Sequence, residues 1–263
     1  MTRQGRHIPF ERLCNFRDLG GYAAGGGRSV RWGRLYRSDS LAKLAGEDWE
    51  RFLGLGIGTI VDLRHPWEIE ARGRVPDDAS FTYHNLSIEH RPYDQPSLGP
   101  EIEVGPYLAE RYLEVADDGV AELRETLEVI AAADRPVVFH CASGKDRTGL
   151  LAALVLVLVG VSEADAVEDF ALTELATGRL LADWRAAHGD REPRWPGYGR
   201  APAEVMRLFL AALARRHGSI RGYAENALGV DEALIESLRE RLLTPPVAGM
   251  PASASGSGAG AAT

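Results

Sequence analysis

Residues 137–149 read VVFHCASGKDRTG, and this stretch is the strongest indication of the fold in the sequence. An apolar run over residues 136–140 delivers Cys141, one of only two cysteines, into a loop of charged residues. The pattern predicts a buried strand, then a short loop, then a helix that begins near Thr148. A strand that feeds a helix through a short loop is typical of an α/β protein.

The loop has the composition of an anion site. Between a strand and a helix, the backbone amides of residues 142–147 can point toward one centre at the positive end of the helix dipole. Arg147 adds a planar guanidinium that can bind two phosphoryl oxygens at once, which a lysine could not do. The same positive field favours the thiolate form of Cys141, which is the nucleophilic form. Cysteine and arginine together therefore predict phosphate chemistry.

The motif His-Cys-x-x-Gly-Lys-Asp-Arg-Thr-Gly resembles the loop of the atypical bacterial tyrosine/serine protein phosphatases of dual or triple specificity. That group lies within the Cys-x5-Arg protein tyrosine phosphatase superfamily. Residues 15–22 (NFRDLGGY), 33–38 (GRLYRS) and 61–64 (VDLR) agree with the same group. The resemblance implies an α/β fold with a largely parallel, four- or five-stranded central sheet flanked by helices. It also implies a phosphocysteine intermediate, no cofactor and no metal.

The resemblance assigns roles within the loop. Cys141 is the expected nucleophile, Arg147 clamps the phosphate, and the Thr148 hydroxyl steadies the departing thiolate. Lys145 at the rim is expected to contact a second phosphate or acidic group of the substrate. The expected substrate-binding residues are Ala142, Ser143, Gly144, Lys145 and Thr148.

The proton donor for the leaving group stays open. Many tyrosine phosphatases supply it from a Trp-Pro-Asp loop, whereas residues 195–197 of this chain read Trp-Pro-Gly. Asp146 is the first candidate and Asp62, at a neighbouring strand end, is the second, since both can lie near the phosphate. Water or an acidic residue in the loop around Tyr93-Asp94 is the remaining source.

Four flanking residues are expected to have structural roles. His140 has no second ligand at metal-binding spacing, so it should orient the loop through a backbone hydrogen bond. Cys14 should pack in the core, and Arg17 with Asp18 should form an ion pair that anchors the hairpin described next. Asp62 and Arg64 end a strand where both structure and function are possible.

Helical and extended patterns alternate along the chain. Residues 20–38 predict a hairpin around a Gly-rich turn, with Tyr22 and Tyr36 facing inward. Residues 87–105 predict a long surface loop, and residues 171–199 predict a helical lid with a Gly- and Pro-rich connection. Periodic spacing predicts helical segments over 41–53, 106–133, 149–159, 163–187, 202–217 and 231–243, and strands over 59–64 and 136–140.

The 263 residues, 45% of them hydrophobic, are expected to form one main domain. Residues 1–9 are assigned to an N-terminal extension, 10–243 to the catalytic domain and 244–263 to a disordered tail. The tail reads TPPVAGMPASASGSGAGAAT, a composition that buries too little apolar surface to offset the entropy of ordering.

Charge and cysteine content limit the binding partners and the cellular location that can be expected. A net charge of −8 argues against general binding to nucleic acid or anionic membranes, and two cysteines are too few for a disulfide framework. The longest apolar run, residues 150–159, is too short to span a bilayer. The N-terminus carries no signal-peptide pattern, so we expect a cytoplasmic protein, with signal-less export left open. The expected substrates are phosphorylated proteins or phosphoinositides, and the expected product is inorganic phosphate.

Two other classes remain as alternatives. A rhodanese-like sulfurtransferase also surrounds an anion with a loop cysteine, and a catalytically inactive phosphate-binding module would keep the same shape. Arg147 and Thr148 in their phosphatase positions argue against the first, and the intact Cys141 argues against the second.

Overall fold

The computed structural model describes residues 3–91 and 93–246. Seven strands lie within these residues: β1 Arg17–Asp18, β2 Ala23–Ala24, β3 Arg28–Ser29, β4 Leu35–Ser38, β5 Thr59–Asp62, β6 Thr82–Asn85 and β7 Val137–His140. Five of them form a central sheet in the order β1-β4-β7-β5-β6, while β2 and β3 form a separate hairpin. The predicted α/β class, with five strands, is confirmed.

The register of the sheet places the loop of residues 141–145, which follows β7, at its centre. Strands β4, β7, β5 and β6 are parallel, and β1 adds to β4 in the antiparallel sense. Ser38, His140, Asp62 and Asn85 stand level at the carboxyl ends of the four parallel strands. In open α/β sheets, ligand sites lie beyond these ends. The loop after His140 therefore leaves the middle strand where a site is expected.

Ten α-helices occur in the described residues: α1 Glu47–Gly54, α2 Pro66–Arg72, α3 Val104–Asp118, α4 Val120–Ala132, α5 Asp146–Leu158, α6 Glu163–Ala171, α7 Thr177–Ala187, α8 Ala203–His217, α9 Ile220–Asn226 and α10 Glu232–Leu242. Short 3-10 turns cover Arg3–Arg6, Leu41–Lys43, Gln95–Ser97 and Leu172–Ala176. No helix among residues 3–91 and 93–246 is long and apolar enough to cross a membrane.

Alternating side chains of the strands feed two apolar clusters. Val61 and Phe139 belong to the larger cluster, whereas Ile60 and Val138 belong to the smaller one. Because side chains on a strand alternate between faces, the sheet is covered on both sides. Helix α5 is buried along nearly its whole length, so it forms the central rod of the larger cluster. The loop of residues 141–145 is thus held between a buried strand and a buried helix.

Several predicted elements differ in detail from the structure. The hairpin is confirmed, with Tyr22 and Tyr36 buried, but its strands are short, and residues 35–38 belong to the central sheet. A single helix over 41–53 is wrong, because Gly46, with φ +57°, separates a 3-10 turn from α1. The helical region 163–187 consists of α6, a 3-10 turn and α7.

The boundary with the predicted tail carries ordered contacts. The Thr244 amide donates to the Ser29 carbonyl at 2.8 Å, and the Ser29 amide donates to the Thr244 hydroxyl at 3.0 Å. The main part of the predicted tail, residues 247–263, lies outside the described residues.

Candidate active site

The loop between β7 and α5 is held by its carbonyl groups. The Ala142 carbonyl accepts from the Ser40 amide at 3.1 Å, and the Asn15 side-chain amide donates to the carbonyls of residues 143 and 144 at 3.0 Å each. Arg37 Nη2 donates to the Gly144 carbonyl at 2.7 Å. With the carbonyls bonded on this outer side, the amides of the loop remain available to its centre.

Gly144 is required by the same packing. Its φ is +67°, and a Cβ at this position would lie 2.5 Å from the Ser38 carbonyl oxygen. Both the left-handed backbone and the close approach to the end of β4 therefore favour glycine.

A buried ionic network supports these outer contacts. Asp169 of α6 lies 3.1 Å from Arg17 Nε and 2.6 Å from Arg37 Nη1, and all three side chains are at most 1% exposed. Arg17 also donates to the Asn15 side-chain oxygen at 2.5 Å. Burial raises the pKa of Asp169, but the two guanidinium groups outweigh it and lower the value to about 2. Asp169 thus positions both residues that hold the loop carbonyls.

The predicted pairing of Arg17 with Asp18 is wrong in its partner, because Arg17 pairs with Asp169. Asp18 instead accepts from the backbone amides of Gly20 at 2.7 Å and Gly33 at 2.6 Å. Asp18 therefore anchors the segment around the hairpin, as expected, but it does so through these two backbone amides and not through an ion pair with Arg17.

Arg147 is fixed by two glutamates that the sequence did not single out. Its Nη1 and Nη2 donate to Glu68 at 2.5 and 3.0 Å, and its Nε lies 3.3 Å from Glu89 Oε2. The Glu68 carboxylate also accepts from the His65 amide at 2.9 Å, which locks it at the start of α2. Burial raises the pKa of Glu68, but the bonds from Arg147 outweigh this and lower it. The bidentate pair sets the plane of the guanidinium.

Cys141 and Arg147 line one small cavity of about 130 Å³. Its other lining residues are His65, Trp67, Glu68, Glu89, Tyr93, Gln95, Ser143 and Asp146. A larger cavity of about 520 Å³ shares part of this lining and adds Arg72, Asp94, Pro96, Ala142, Lys145, Leu180, Trp184, His188, Tyr198 and Gly199. The structure therefore brings Cys141, Ser143, Asp146 and Arg147 together, with Ala142 and Lys145 on the adjoining wall.

Two predicted loop residues are held in place by several contacts. Lys145 Nζ lies within 3.3 Å of the Gln95 side-chain oxygen, the Arg200 carbonyl and Asp146. Asp146 accepts from the Tyr112 hydroxyl at 2.7 Å and, on its other oxygen, from the Gln95 side-chain amide at 3.3 Å. Lys145 is 1% exposed. It is therefore a buried residue that connects parts of the structure, and not the exposed cation at the rim of the loop that was expected from the sequence.

Thr148 lies next to Arg147 on the first turn of α5. It is fully buried, and its hydroxyl has no hydrogen-bond partner within the described part of the chain. The hydroxyl is therefore available to a charge that develops in the loop.

Asp62 lies away from both cavities. Its carboxylate is fully buried and accepts from Arg64 at 2.6 to 3.2 Å and from the Tyr83 hydroxyl at 2.9 Å. Burial raises the pKa of Asp62, but His140 and Arg64 outweigh this and lower it. The structure does not bring Asp62 to the cavity that Cys141 lines.

Three other residues considered from the sequence make contacts that support the structure. His140 Nδ1 lies 3.1 Å from the Cys141 carbonyl, which agrees with a role in orienting the loop, and burial lowers the His140 pKa. The Cys14 thiol donates to Asp39 at 3.5 Å, and burial together with Asp39 raises its pKa to about 12. Trp195 is buried and donates to the Ile102 carbonyl at 2.8 Å, so the Trp-Pro-Gly stretch anchors a neighbouring loop.

Comparison with known proteins identifies the family. A family model described as the tyrosine phosphatase family matches residues 8–244, most of the chain. The chain belongs to the tyrosine phosphatase family. This tyrosine phosphatase is a phosphoric monoester hydrolase, and the rhodanese-like and inactive alternatives are not favoured.

Three curated relatives resemble this tyrosine phosphatase over most of their length. A putative tyrosine-protein phosphatase of Cupriavidus necator, H16_A0669, is 33% identical over 255 residues, covering 88% of this chain and 87% of that protein. A tyrosine-protein phosphatase of Nostoc commune is 32% identical, covering 78% and 73%. The triple specificity protein phosphatase PtpB of Mycobacterium tuberculosis is 27% identical, covering 87% and 96%.

Proposed function

We propose that this tyrosine phosphatase hydrolyses phosphotyrosine in proteins through a phosphocysteine intermediate on Cys141. One observation carries the proposal: Cys141 and Arg147 line the same 130 Å³ cavity, with the guanidinium fixed by Glu68. A phosphoryl group in this cavity would meet the sulfur, the guanidinium and the loop amides together. The guanidinium and the amides match the negative charge of the phosphoryl oxygens, and they are already in place before substrate binds.

The proposed reaction has two steps. The Cys141 thiolate forms a bond to phosphorus while the bond from phosphorus to the ester oxygen breaks, and the leaving oxygen takes up a proton. Water then attacks the phosphocysteine, the bond from sulfur to phosphorus breaks, and inorganic phosphate leaves. In this proposal the buried Thr148 hydroxyl donates a hydrogen bond to the thiolate that departs, since it has no other partner within the described chain. Arg147 would bind two phosphoryl oxygens through both steps.

The wider cleft supports aromatic and bulky substrates. Its lining includes Trp67, Trp184 and Tyr198, which offer flat apolar surfaces on which a phosphotyrosine ring can pack. Phosphoserine, phosphothreonine and phosphoinositides are proposed as further substrates. The PtpB relative is named a triple specificity protein phosphatase, which agrees with more than one class of substrate. For Lys145 to contact a second acidic group of such a substrate, its ammonium would have to exchange one of its three present partners.

Helix α7 and the connection that follows it are proposed as a lid. Leu180, Trp184 and His188 of this region line the cleft together with Tyr93 and Trp67. A segment that shields the cleft would protect the Cys141 thiolate from oxidation between turnovers. We further propose a cytoplasmic location, because two free thiols persist more readily in a reducing compartment.

Substitution of the nucleophile tests the proposed function. Cys141→Ser should stay folded and bind vanadate or phosphate but lose essentially all hydrolysis of p-nitrophenyl phosphate, because an alcohol here has no base to activate it. Cys14→Ser is the matched control and should retain activity, since Cys14 lies in neither cavity.

The same experiment separates the alternatives. Cys141→Ser hydrolysing near the wild-type rate would refute the thiolate mechanism. Formation of thiocyanate from thiosulfate and cyanide, without phosphate release, would indicate a sulfurtransferase. Phosphate binding by the wild-type protein without turnover on any phosphopeptide would indicate an inactive binding module.

A further inference from the structure

Glu89 is a buried carboxylate inside the cavity of Cys141. It lies in the loop that follows β6, its side chain is only 9% exposed, and it lines the 130 Å³ cavity. Its Oε2 is 3.3 Å from Arg147 Nε and its Oε1 is 3.7 Å from His65 Nε2. The carboxylate therefore lies beside the Nε edge of the guanidinium, inside the cavity that Cys141 lines.

The other two carboxylates of the cavity are occupied. Both Glu68 oxygens accept from the Nη atoms of Arg147, and both Asp146 oxygens accept from Tyr112 or Gln95. Glu89 accepts no such hydrogen bond within the described chain and has only the longer ionic contacts. Among the three, Glu89 alone has both oxygens free of hydrogen bonds within the described chain, so it can hold a proton without giving up a hydrogen bond.

The surroundings of Glu89 raise its pKa so that the carboxyl gains and loses its proton near neutral pH. Burial raises its pKa, Arg147 partly offsets this, and the nearby Asp146 and Glu68 raise it again, to about 7. A phosphate dianion in the cavity would add negative charge and compete for Arg147, which favours protonation further. The ionisable groups of the cavity around it are His65 and Glu68 of the α2 start, Cys141 of the loop, Asp146 and Arg147 of α5, and Tyr93 of its own loop.

We propose that Glu89 is the catalytic acid and base of this phosphatase. The inference rests on the proposed thiolate chemistry at Cys141. In the first step the sulfur bonds to phosphorus, the ester bond breaks, and the Glu89 proton passes to the leaving oxygen. In the second step the resulting carboxylate takes a proton from the attacking water as the bond from phosphorus to sulfur breaks. One proton is thus lent and recovered in each cycle.

A series of aryl phosphates with leaving phenols of different basicity tests the assignment. Glu89→Gln keeps the shape of the side chain and removes the proton. It should lower kcat/KM for phenyl phosphate about 10²–10³-fold, within the range of a positioned acid, but for a fluorinated aryl phosphate only a few-fold. Glu89→Asp should restore part of the loss on phenyl phosphate, because it returns an ionisable group.

The dependence of kcat/KM on pH separates a catalytic role of Glu89 from a purely structural one, because a structural role would not change this dependence. An acid must be protonated to donate, so wild-type kcat/KM for phenyl phosphate should fall as pH rises through the Glu89 pKa near 7. That alkaline decline should be absent from Glu89→Gln. The wild-type decline also tests the inference if the variant does not fold, because its absence between pH 6 and 9 would overturn it.

Asp146→Asn is the matched comparison. The inference predicts that it slows all aryl phosphates by a similar factor, because Asp146 then acts through the position of the loop. Equal slowing by Glu89→Gln with an unchanged pH profile would overturn the assignment and leave Glu89 as a support for Arg147. The leaving-group pattern in Asp146→Asn instead would assign the proton to Asp146. Loss of all turnover in Cys141→Ser tests the thiolate chemistry separately.

Discussion

The buried pair of arginines behind the catalytic loop depends on one carboxylate. We predict that Asp169→Asn, which keeps the size of the side chain, strongly destabilises the fold and lowers activity. Asp169 contacts Arg17 and Arg37, each at most 1% exposed, so the variant leaves two guanidinium groups buried without a counter-charge. Arg37 and Asn15 then lose the support that holds the loop carbonyls.

The expected magnitude follows from the burial. Removing one partner of a buried ion pair costs about 3–5 kcal/mol. Domains are typically stable by about 5–15 kcal/mol, so Asp169→Asn should lose a large part of the free energy of unfolding. The Asn can still accept hydrogen bonds, which places the expected loss toward the lower end, about 3 kcal/mol.

The same carboxylate gives a pH dependence with a defined sign. The Asp169 pKa is about 2 when folded, against 3.8 for an ordinary aspartate, so its contribution is fully present above about pH 4 and is lost as pH falls toward 2. The depression corresponds to about 2 kcal/mol. Asp169→Asn should lack this part of the acid sensitivity, and the gap between the two stability curves should narrow between pH 4 and 2.

Urea unfolding followed by tryptophan fluorescence, repeated from pH 7 down to pH 2, measures both effects. Asp134→Asn is the control, because the Asp134 side chain is 95% exposed in its pair with Arg241 and should change stability by less than about 1 kcal/mol. A loss below about 1 kcal/mol in Asp169→Asn at pH 7, or a gap that does not narrow in acid, would refute the reasoning.

Two further substitutions address the loop and the cleft. Gly144→Ala should lower kcat at least about tenfold, with little change in helix content by circular dichroism, because its Cβ would lie 2.5 Å from the Ser38 carbonyl and φ is +67°; an unchanged kcat would contradict the close packing. Trp184→Ala should raise KM for a phosphotyrosyl peptide about fivefold, as expected for about 1 kcal/mol of lost aromatic contact, and leave KM for glycerol phosphate, which has no aromatic ring, nearly unchanged. Equal effects on both substrates would argue against Trp184 as a wall for the peptide.

The loop and the sheet were predictable because their signals are local. A buried strand, a loop with a cysteine and an arginine, and a buried helix follow one another within residues 137–158, so short-range patterns determine them. The glutamates of the site were not predictable in this way. Glu68 and Glu89 reach Arg147 from two other elements, and only the parallel register of the sheet brings those elements beside the loop.

Asp62 shows how a strand-end position can mislead. From the sequence we expected it near the phosphate, because it ends a strand beside the loop. Its carboxylate instead accepts hydrogen bonds from Arg64 and Tyr83. Asp62 stands level with His140 and lies beside it, whereas Cys141 comes one residue later, and successive side chains of a strand point to opposite faces. Short elements were also missed: α2 and α9 have seven residues each, too few for a clear helical period.

The Gln95 side chain has a consequence for how this enzyme could be re-engineered. Its side-chain amide donates to Asp146 and accepts from Lys145. Gln95 therefore joins two residues of the loop after β7 to the segment that contains Gln95, about fifty positions earlier in the chain. A loop grafted in place of residues 87–103 would sever both bonds unless it carried an amide at the same point. Changes of substrate preference by loop exchange would therefore carry a cost in turnover, and the two segments should be transplanted as one piece.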